Sequence, residues 1–284
     1  MQTRADADAR FPLRRIDCAH GSMAWREAGE GRPLVLLHGI GSGSGSWTGQ
    51  LAGLAGTHRV IAWDAPGYGE SAPLDQSQPL AADYAAVLGD VLDRLGVEAP
   101  VLVGHSLGAL VAAARASQPG ASPAALVLAS PARGYGLAQE DVRQTKYRER
   151  IDTVERLGVE GMAAQRAAGL CAPGAAAEVV ERVRSTMARV TAGGYAQAAH
   201  VLAYDDLLTH LRRVEAPVAV LCGDADTVTP PAACEQLARD IGAPFMLLHS
   251  VAHACYVEDA VQFNAALLSS LDRLATAGRG SRNG

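Results

Sequence analysis

The sequence predicts an α/β fold in which helices cover both faces of a mostly parallel sheet. Short runs that are apolar throughout recur along the chain, as expected of strands buried on both faces. They alternate with segments in which apolar residues recur at helical spacing, as between Leu80 and Leu95. One apolar run ends in the pattern Gly-X-Ser-X-Gly and continues as a small-residue helix, which gives the order strand, tight turn, helix.

These patterns predict the elements in chain order. A β-hairpin joined through Gly21 opens the fold, with strands at 14–20 and 23–28. The apolar runs predict buried strands at 34–38, 60–63, 101–104, 125–129, 218–222 and 245–249. The periodic segments predict helices at 80–95, 107–117, 231–240 and 260–274.

One long segment interrupts this alternation. Residues 133–213 predict four helices, at 142–157, 161–170, 176–190 and 195–211, and no buried strand. We therefore expect a helical lid at 133–213, inserted before the last two strands of a core at 13–132 and 214–274. Residues 1–12 and 275–284 are expected to be flexible tails.

The composition argues against several classes of partner. The net charge is −5 and no basic block stands out, which disfavours nucleic acid and anionic membrane surfaces. No apolar run is long enough to span a membrane, and the first residues lack the apolar core of a secretory signal. We therefore expect a cytoplasmic protein. The five cysteines lack metal-ligand spacing, so we expect free thiols and no metal site.

The candidate nucleophile is Ser106, at the centre of the Gly-X-Ser-X-Gly pattern. A strand that enters a very tight turn and then a helix lifts one hydroxyl clear of the sheet, where a substrate can reach it. Gly104 and Gly108 occupy the positions where a side chain would collide with the neighbouring strand and helix.

A serine hydroxyl needs a base, and the chain has eight histidines. His38 and His105 each directly follow strand residues, which would fix their rings beside the backbone, and His249 ends the last strand. His253 stands four residues later, in a loop of small residues that leads to the last helix. That loop is expected beside the nucleophile turn, so His253 is the candidate base.

Two aspartates follow the predicted strand at 218–222 and compete to orient the base. Asp226 stands at the head of a turn closed by Pro230 and is the preferred carboxylate. Asp224 directly follows a glycine, a position typical of a residue that accepts hydrogen bonds from turn amides, and is the alternative.

Backbone amides are expected to stabilise the oxyanion that attack by Ser106 would form. One is the amide of Leu107, directly after the nucleophile. The second comes from the loop that follows residue 38, and is that of Ile40, with Gly41 as the alternative. Their side-chain types carry little information, because only the backbone would act.

Together these motifs resemble those of the α/β-hydrolase superfamily over residues 13–272. The resemblance rests on His38-Gly39, residues 64–71 (Asp-Ala-Pro-Gly-Tyr-Gly-Glu-Ser), residues 104–108, residues 223–230 and His253. It implies the α/β-hydrolase fold, the chain order serine, aspartate, histidine, and a structural role for the acid in 64–71. The insert is similar in kind and order to that of 3-oxoadipate enol-lactonases, at 160–163, 192–196 and 205–207.

The resemblance implies a serine hydrolase without a cofactor, which cleaves a carboxylic ester or (enol-)lactone of a small molecule, such as one derived from aromatic catabolism. Two alternatives stay open: a hydrolase of the carbon–carbon bond in a meta-cleavage product, and a ligand receptor with slow turnover. Arg133, Tyr135 and Tyr195 are expected to bind the substrate, with Arg133 pairing with its carboxylate if the substrate is anionic.

Overall fold

A central β-sheet organises the protein. The structure is a computed structural model that describes residues 10–280. Within them the sheet contains β1 (Arg14–Cys18), β2 (Gly21–Ala28), β3 (Arg32–Leu37), β4 (His58–Trp63), β5 (Val101–His105), β6 (Ala125–Ala129), β7 (Val218–Gly223) and β8 (Phe245–Leu248). These strands lie side by side in the order β1-β2-β4-β3-β5-β6-β7-β8.

The prediction of a mostly parallel sheet is confirmed. Only β2 pairs in the antiparallel sense, with β1 and with β4, among the strands of residues 10–280; every other neighbouring pair is parallel. The register places Gly104 of β5 between Leu37 of β3 and Leu128 of β6. The carboxyl ends of the parallel strands therefore meet at one edge of the sheet, where loops of this architecture form binding sites.

Helices lie between the strands, and the described residues form ten of them. They are α1 (Thr48–Leu54), α2 (Ala81–Arg94), α3 (Leu107–Ala116), α4 (Glu140–Arg166), α5 (Ala177–Met187), α6 (Ala192–Tyr204), α7 (Leu207–Leu211), α8 (Pro231–Asp240), α9 (Cys255–Glu258) and α10 (Ala260–Gly280). Short 3₁₀ turns occur at Ser44–Trp47 and Ala168–Leu170.

Hydrophobic cores lie on both faces of the sheet, as the apolar strands predict. On β3, Leu34 and Leu36 belong to one core, whereas Val35 and Leu37 belong to the other, because successive side chains of a strand point to opposite faces. Helices α2, α3 and α8 cover the face of Val35. Helices α1 and α10 cover the face of Leu34.

Four helices, α4 to α7, connect β6 to β7, in the segment predicted to be helical throughout. Hydrogen bonds join this segment to loops that follow β4. The Thr191 hydroxyl donates to the Gly67 carbonyl (3.1 Å), and the Gln197 amide nitrogen donates to the Leu74 carbonyl (2.7 Å). The division into a core at 13–132 and 214–274 and a lid at 133–213 stays a prediction.

Several helix boundaries differ from those predicted. Helix α4 runs through the gap expected between 142–157 and 161–170, with a break at Gly158 (φ 66°, ψ 174°). The helix expected at 195–211 is two helices, because Asp205 accepts a hydrogen bond from the Ala81 amide (2.8 Å) and Asp206 caps α7 by accepting one from the Thr209 amide (3.1 Å). Helices α1 and α9 were not predicted.

The ends of the chain also differ from expectation in part. Helix α10 continues to Gly280, so residues 275–280 of the expected C-terminal tail are helical. Phe11, within the expected N-terminal tail, is buried. Residues 1–9 and 281–284 of the expected tails lie outside the described residues. Within residues 10–280, no helix combines the length and the apolar character needed to cross a membrane.

Candidate active site

The turn between β5 and α3 holds Ser106 in a strained backbone conformation. Its φ is 54° and its ψ is −116°, which few residues other than glycine adopt. The Ser106 amide donates to the Ala129 carbonyl of β6 (3.0 Å), and its carbonyl accepts from the Ala109 amide of α3 (3.0 Å). These bonds fix the turn to a neighbouring strand and to the helix that follows. Ser106 therefore occupies the tight turn that the sequence predicts.

The two glycines of the turn lie where the backbones approach each other closely. A Cβ on Gly104 would lie 2.6 Å from the Ala109 Cα, and one on Gly108 would lie 2.7 Å from the Leu37 carbonyl carbon. Neither position has room for a side chain without a shift of backbone. The spacing of glycines around Ser106 is thus a requirement of packing between β3, β5 and α3.

A hydrogen bond joins His253 and Asp226. The His253 Nδ1–H donates to Asp226 Oδ2 at 2.9 Å, and both side chains are buried. Asp226 Oδ1 accepts from the amides of Val228 (2.8 Å) and Thr229 (2.9 Å), and Oδ2 accepts from the Thr229 hydroxyl (2.8 Å). Burial opposes ionisation, yet the bonds from His253 and Thr229 lower the pKa of Asp226 to about 2. The carboxylate is therefore ionised at neutral pH.

The other candidate carboxylate lies elsewhere. Asp224 accepts from the Ser250 amide (2.8 Å) and faces His249 Nδ1 at 3.3 Å. The His249 side chain is 76% exposed, whereas that of His253 is 7% exposed. Of the two aspartates left open by the sequence, the structure brings Asp226 to His253, and Asp224 supports the turn after β8.

His105 positions the loop that carries His253. Its Nε2–H donates to the His253 carbonyl at 2.7 Å. Burial, with the nearby His253 ring, lowers the pKa of His105 to about 3, so this ring stays neutral. The sequence indicates that His105 is fixed beside the backbone, but it does not reveal this contact with a loop 148 residues away.

The loop after β3 also approaches Ser106. A Cβ on Gly39 would lie 2.9 Å from the Ser106 Cβ. His38 holds this loop: its Nδ1–H donates to the Gly39 carbonyl (2.9 Å), and its Nε2 accepts from the Ala65 amide (3.0 Å). Burial lowers the pKa of His38 and keeps it neutral. The amides of Ile40 and Leu107 donate no hydrogen bond within residues 10–280, which leaves both available to a ligand.

The stretch 64–71 has the structural character that the resemblance implies. The Asp64 carboxylate accepts from the Ser44 amide (2.6 Å). Ser71 donates to the Asp64 carbonyl (2.7 Å) and accepts from the Ala24 amide (2.9 Å). The Asp64 carboxylate therefore links this stretch to the loop after β3, and Ser71 links it to β2.

Ser106 and His253 line the same cavity, whose volume is about 480 Å³. Gly39 and Ile40 line it, and so do the three residues expected to bind substrate, Arg133, Tyr135 and Tyr195. The cavity is the space in which a reacting carbonyl could meet both the Ser106 hydroxyl and the His253 ring. A serine can act as a nucleophile when its hydroxyl reaches an imidazole that is oriented by an ionised carboxylate.

The environment of the expected substrate-binding residues differs among them. Arg133 is 61% exposed, and its Nε lies 3.6 Å from Asp206 Oδ2. Tyr135 is partly exposed, whereas Tyr195 is buried and its hydroxyl accepts from Arg166 (3.2 Å). Sequence reasoning missed Arg150 and Arg166, which also line the cavity. No local pattern distinguishes them from the many other charged residues of α4.

No metal centre is evident in the part of the chain that the structure describes. Within residues 10–280, no three histidine, cysteine, aspartate or glutamate side chains are grouped so that they could hold an ion. The five cysteines are all unpaired.

Comparisons with known proteins identify the family. The family described as "Alpha/beta hydrolase family" matches residues 34–266. The protein named "Putative carbamate hydrolase RutD" of Escherichia coli O44:H18 is 27% identical over 247 residues, which cover 85% of this chain and 90% of that protein.

Two solved structures are similar over nearly the whole chain. A malate-bound thermophilic esterase from Thermogutta terrifontis is 26% identical with a TM-score of 0.82, covering 92% of this chain and 98% of the esterase. The enol-lactonase from Burkholderia xenovorans LB400 is 20% identical with a TM-score of 0.78, covering 91% of this chain and 100% of that enzyme; this likeness is one of fold. The chain therefore belongs to the alpha/beta hydrolase family and is a hydrolase of that type.

Proposed function

We propose that this protein is a serine hydrolase that cleaves a carboxylic ester or lactone through an acyl-enzyme. The observation that carries the proposal is the buried 2.9 Å hydrogen bond between His253 and Asp226, in a loop that faces the same cavity as Ser106. The strained turn at Ser106 and its glycine neighbours supply the second support.

The proposed mechanism assigns one role to each group. Because His253 Nδ1 donates to Asp226, the lone pair lies on Nε2, which takes the proton of Ser106 as its Oγ attacks the carbonyl carbon. The amides of Ile40 and Leu107 donate to the oxygen that becomes negatively charged. The protonated His253 then gives its proton to the leaving alkoxide, and Asp226 stabilises the imidazolium.

A water molecule completes the cycle. His253 removes a proton from the water as it attacks the acyl carbonyl, and returns that proton to Ser106 Oγ when the acid product leaves. The relatives' names include an esterase, an enol-lactonase and a carbamate hydrolase. Esters, lactones and carbamates all present a carbonyl carbon attached to a leaving heteroatom, which favours this chemistry over cleavage of a carbon–carbon bond.

The test replaces the nucleophile. Ser106→Ala should lower kcat for p-nitrophenyl acetate by at least ~10⁴-fold, because the acyl-enzyme can no longer form. A fluorophosphonate probe should label the wild type at Ser106, with peptide mass spectrometry as the readout. Ser117→Ala is the matched control, since Ser117 lies at the far end of α3 and donates to the Ala114 carbonyl.

Three outcomes would overturn the proposal. The first is undiminished hydrolysis by Ser106→Ala. The second is rapid turnover of a vinylogous diketone with no activity on a panel of esters and lactones, which would favour the carbon–carbon hydrolase. The third is a stable complex with an ester that is never turned over, which would favour the slow-turnover receptor.

A further inference from the structure

The charge of the cavity wall is opposite to that of the chain. The chain carries a net charge of −5. Among the described residues that line the cavity, four are arginines and Asp240 is the only acid. The arginines are Arg133, Arg150, Arg166 and Arg182. An excess of guanidinium groups around a cavity favours an anionic ligand.

Of the four arginines, Arg150 has the surroundings that most favour binding of an anionic ligand. Its Nη1 donates to the Lys146 carbonyl one turn earlier in α4, and its Nε is buried without a hydrogen-bond partner. Burial is the main cause that lowers the pKa of Arg150; Tyr195 opposes this effect, and the nearby Arg166 adds to it. Arg150 as a whole is half-buried, but a buried N–H donor such as its Nε–H is destabilised until an acceptor reaches it.

Arg166 adds a second cation to the same wall, on the other side of the helix break at Gly158. Its Nη1 donates to the Tyr195 hydroxyl at 3.2 Å, which leaves the hydroxyl proton of Tyr195 free to donate in turn. Within residues 10–280, no carboxylate oxygen lies within 4.0 Å of either the Arg150 or the Arg166 guanidinium. Among the described residues, neither cation therefore has a carboxylate at ion-pair distance, and both line the cavity where an anionic ligand could pair with them.

The other two arginines are placed less favourably. Arg133, the residue that the sequence suggests for an anionic substrate, lies 3.6 Å from Asp206 and is 61% exposed. Arg182 is exposed on α5. Solvent screens an exposed cation and a carboxylate neighbour offsets it, so both attract an anion less than Arg150 and Arg166.

We propose that Arg150, Arg166 and Tyr195 form a subsite for a carboxylate, so that the preferred substrate is an ester or lactone that carries a second, free carboxylate. The guanidinium is planar and presents paired N–H donors, which match the two oxygens of a carboxylate. The substrate class rests on the proposed function, because Ser106 must attack the other end of the same molecule. The anion subsite itself does not depend on that chemistry.

The first experiment measures selectivity in catalysis. The 4-nitrophenyl monoester of glutaric acid, a monoanion, is compared with its neutral methyl ester analogue, and the readout is the ratio of their kcat/KM values. We expect the wild type to favour the anion by at least ~10-fold, and Arg150→Gln and Arg166→Gln to lower this ratio by roughly 10- to 100-fold, as for loss of a charge-assisted hydrogen bond.

The matched control is Arg148→Gln. Arg148 is exposed on the same helix and does not line the cavity, and its replacement changes the net charge by the same amount. It should leave the ratio unchanged, which separates a local subsite from the overall field of the protein. Arg150→Lys should restore the ratio in part, because an ammonium keeps the charge and loses the planar pair of donors.

The second experiment measures binding without turnover. Calorimetry on Ser106→Ala compares monomethyl glutarate, an anion, with dimethyl glutarate, which is neutral. We expect tighter binding of the anion by at least ~10-fold, lost when Arg150→Gln or Arg166→Gln is added and kept when Arg148→Gln is added. Thermal melting of every variant verifies that it is folded.

The outcomes separate the two proposals. Equal binding of the two glutarates, or an anion preference that survives both arginine variants, overturns the subsite. Anion-selective binding without hydrolysis of any ester or lactone supports the subsite and overturns the proposed function. Hydrolysis of both esters with equal kcat/KM supports the proposed function and overturns the subsite.

Discussion

At Asp226, four hydrogen bonds offset the cost of burying a carboxylate. They come from the amides of Val228 and Thr229, the Thr229 hydroxyl and His253 Nδ1. The same bonds orient the carboxylate, so that one oxygen faces the imidazole and the other is occupied by the turn. These bonds therefore explain why Asp226 is ionised and why the His253 ring is held with its Nδ1 towards Asp226.

The surroundings of His105, another single residue, predict how the stability of the protein depends on pH. This ring is buried between Trp47, His253 and Tyr256, and its Nδ1 has no hydrogen-bond partner. Its folded pKa of about 3 lies below the ordinary value of 6.5, so between these values the unfolded chain binds the extra proton. Stability contributed by neutral His105 is therefore complete above pH 6.5 and is lost as the pH falls toward 3.

We expect His105→Gln to make the free energy of unfolding less dependent on pH. The glutamine amide keeps a donor for the His253 carbonyl and does not titrate. Between about pH 4 and about pH 6, the free energy of unfolding should fall less steeply than in the wild type, by about 1.4 kcal/mol per pH unit. Urea denaturation at several pH values provides the measurement, and equal slopes for the two proteins would contradict the prediction.

At the scale of elements, the start of α6 packs against the turn that follows β4. A Cβ on Gly194 would lie 2.7 Å from the Gly67 carbonyl carbon, whereas a Cβ on Gly193 would meet nothing within 4 Å. The Thr191 hydroxyl donates to the Gly67 carbonyl as well as accepting from the Gly194 amide (2.9 Å). The approach of this helix to the core thus depends on the absence of one side chain.

This pair of glycines offers a matched test of helix packing. Gly194→Ala should lower the free energy of unfolding by about 1–3 kcal/mol, because the added methyl group displaces backbone. Gly193→Ala should be neutral or stabilising by up to about 1 kcal/mol, since alanine favours the helix. The midpoint of urea denaturation distinguishes them, and similar midpoints for both variants would show that α6 does not pack closely at Gly67.

The elements also show where sequence patterns succeed. The buried strands and the turn at Ser106 follow from local apolar runs and from glycine spacing, which the neighbouring backbones impose. The break between α6 and α7 was missed, because Asp205 is held by the distant Ala81 amide and not by its own segment. Helix α1 follows a run of glycine and serine, whose composition is typical of a loop.

At the scale of the whole molecule, the arginines of the cavity attract an anionic substrate, whereas the net negative charge of the chain repels it. If the net charge of −5 governed approach, added salt would screen repulsion and raise kcat/KM. If Arg150 and Arg166 govern it, added salt screens attraction and lowers kcat/KM. The sign of the salt effect therefore reports which of the two fields acts on the substrate.

We expect kcat/KM for the glutarate monoester to fall several-fold between about 50 mM and about 500 mM NaCl. The neutral methyl ester provides the control and should change much less. Arg150→Gln combined with Arg166→Gln should weaken the dependence or reverse its sign. A rise of kcat/KM with salt in the wild type would contradict the prediction.

The sequence by itself determined the layered α/β architecture, the helical character of 133–213 and the candidates Ser106 and His253, because each depends on residues that are close along the chain. Only the tertiary structure shows that Asp226, the carboxylate preferred from the sequence, contacts His253 while Asp224 lies near His249, because the path of the chain sets these distances. It also decided which arginines face the cavity. Arg150 and Arg166 belong to one helix, but the segments that fold around this helix decide whether a carboxylate lies near their guanidinium groups.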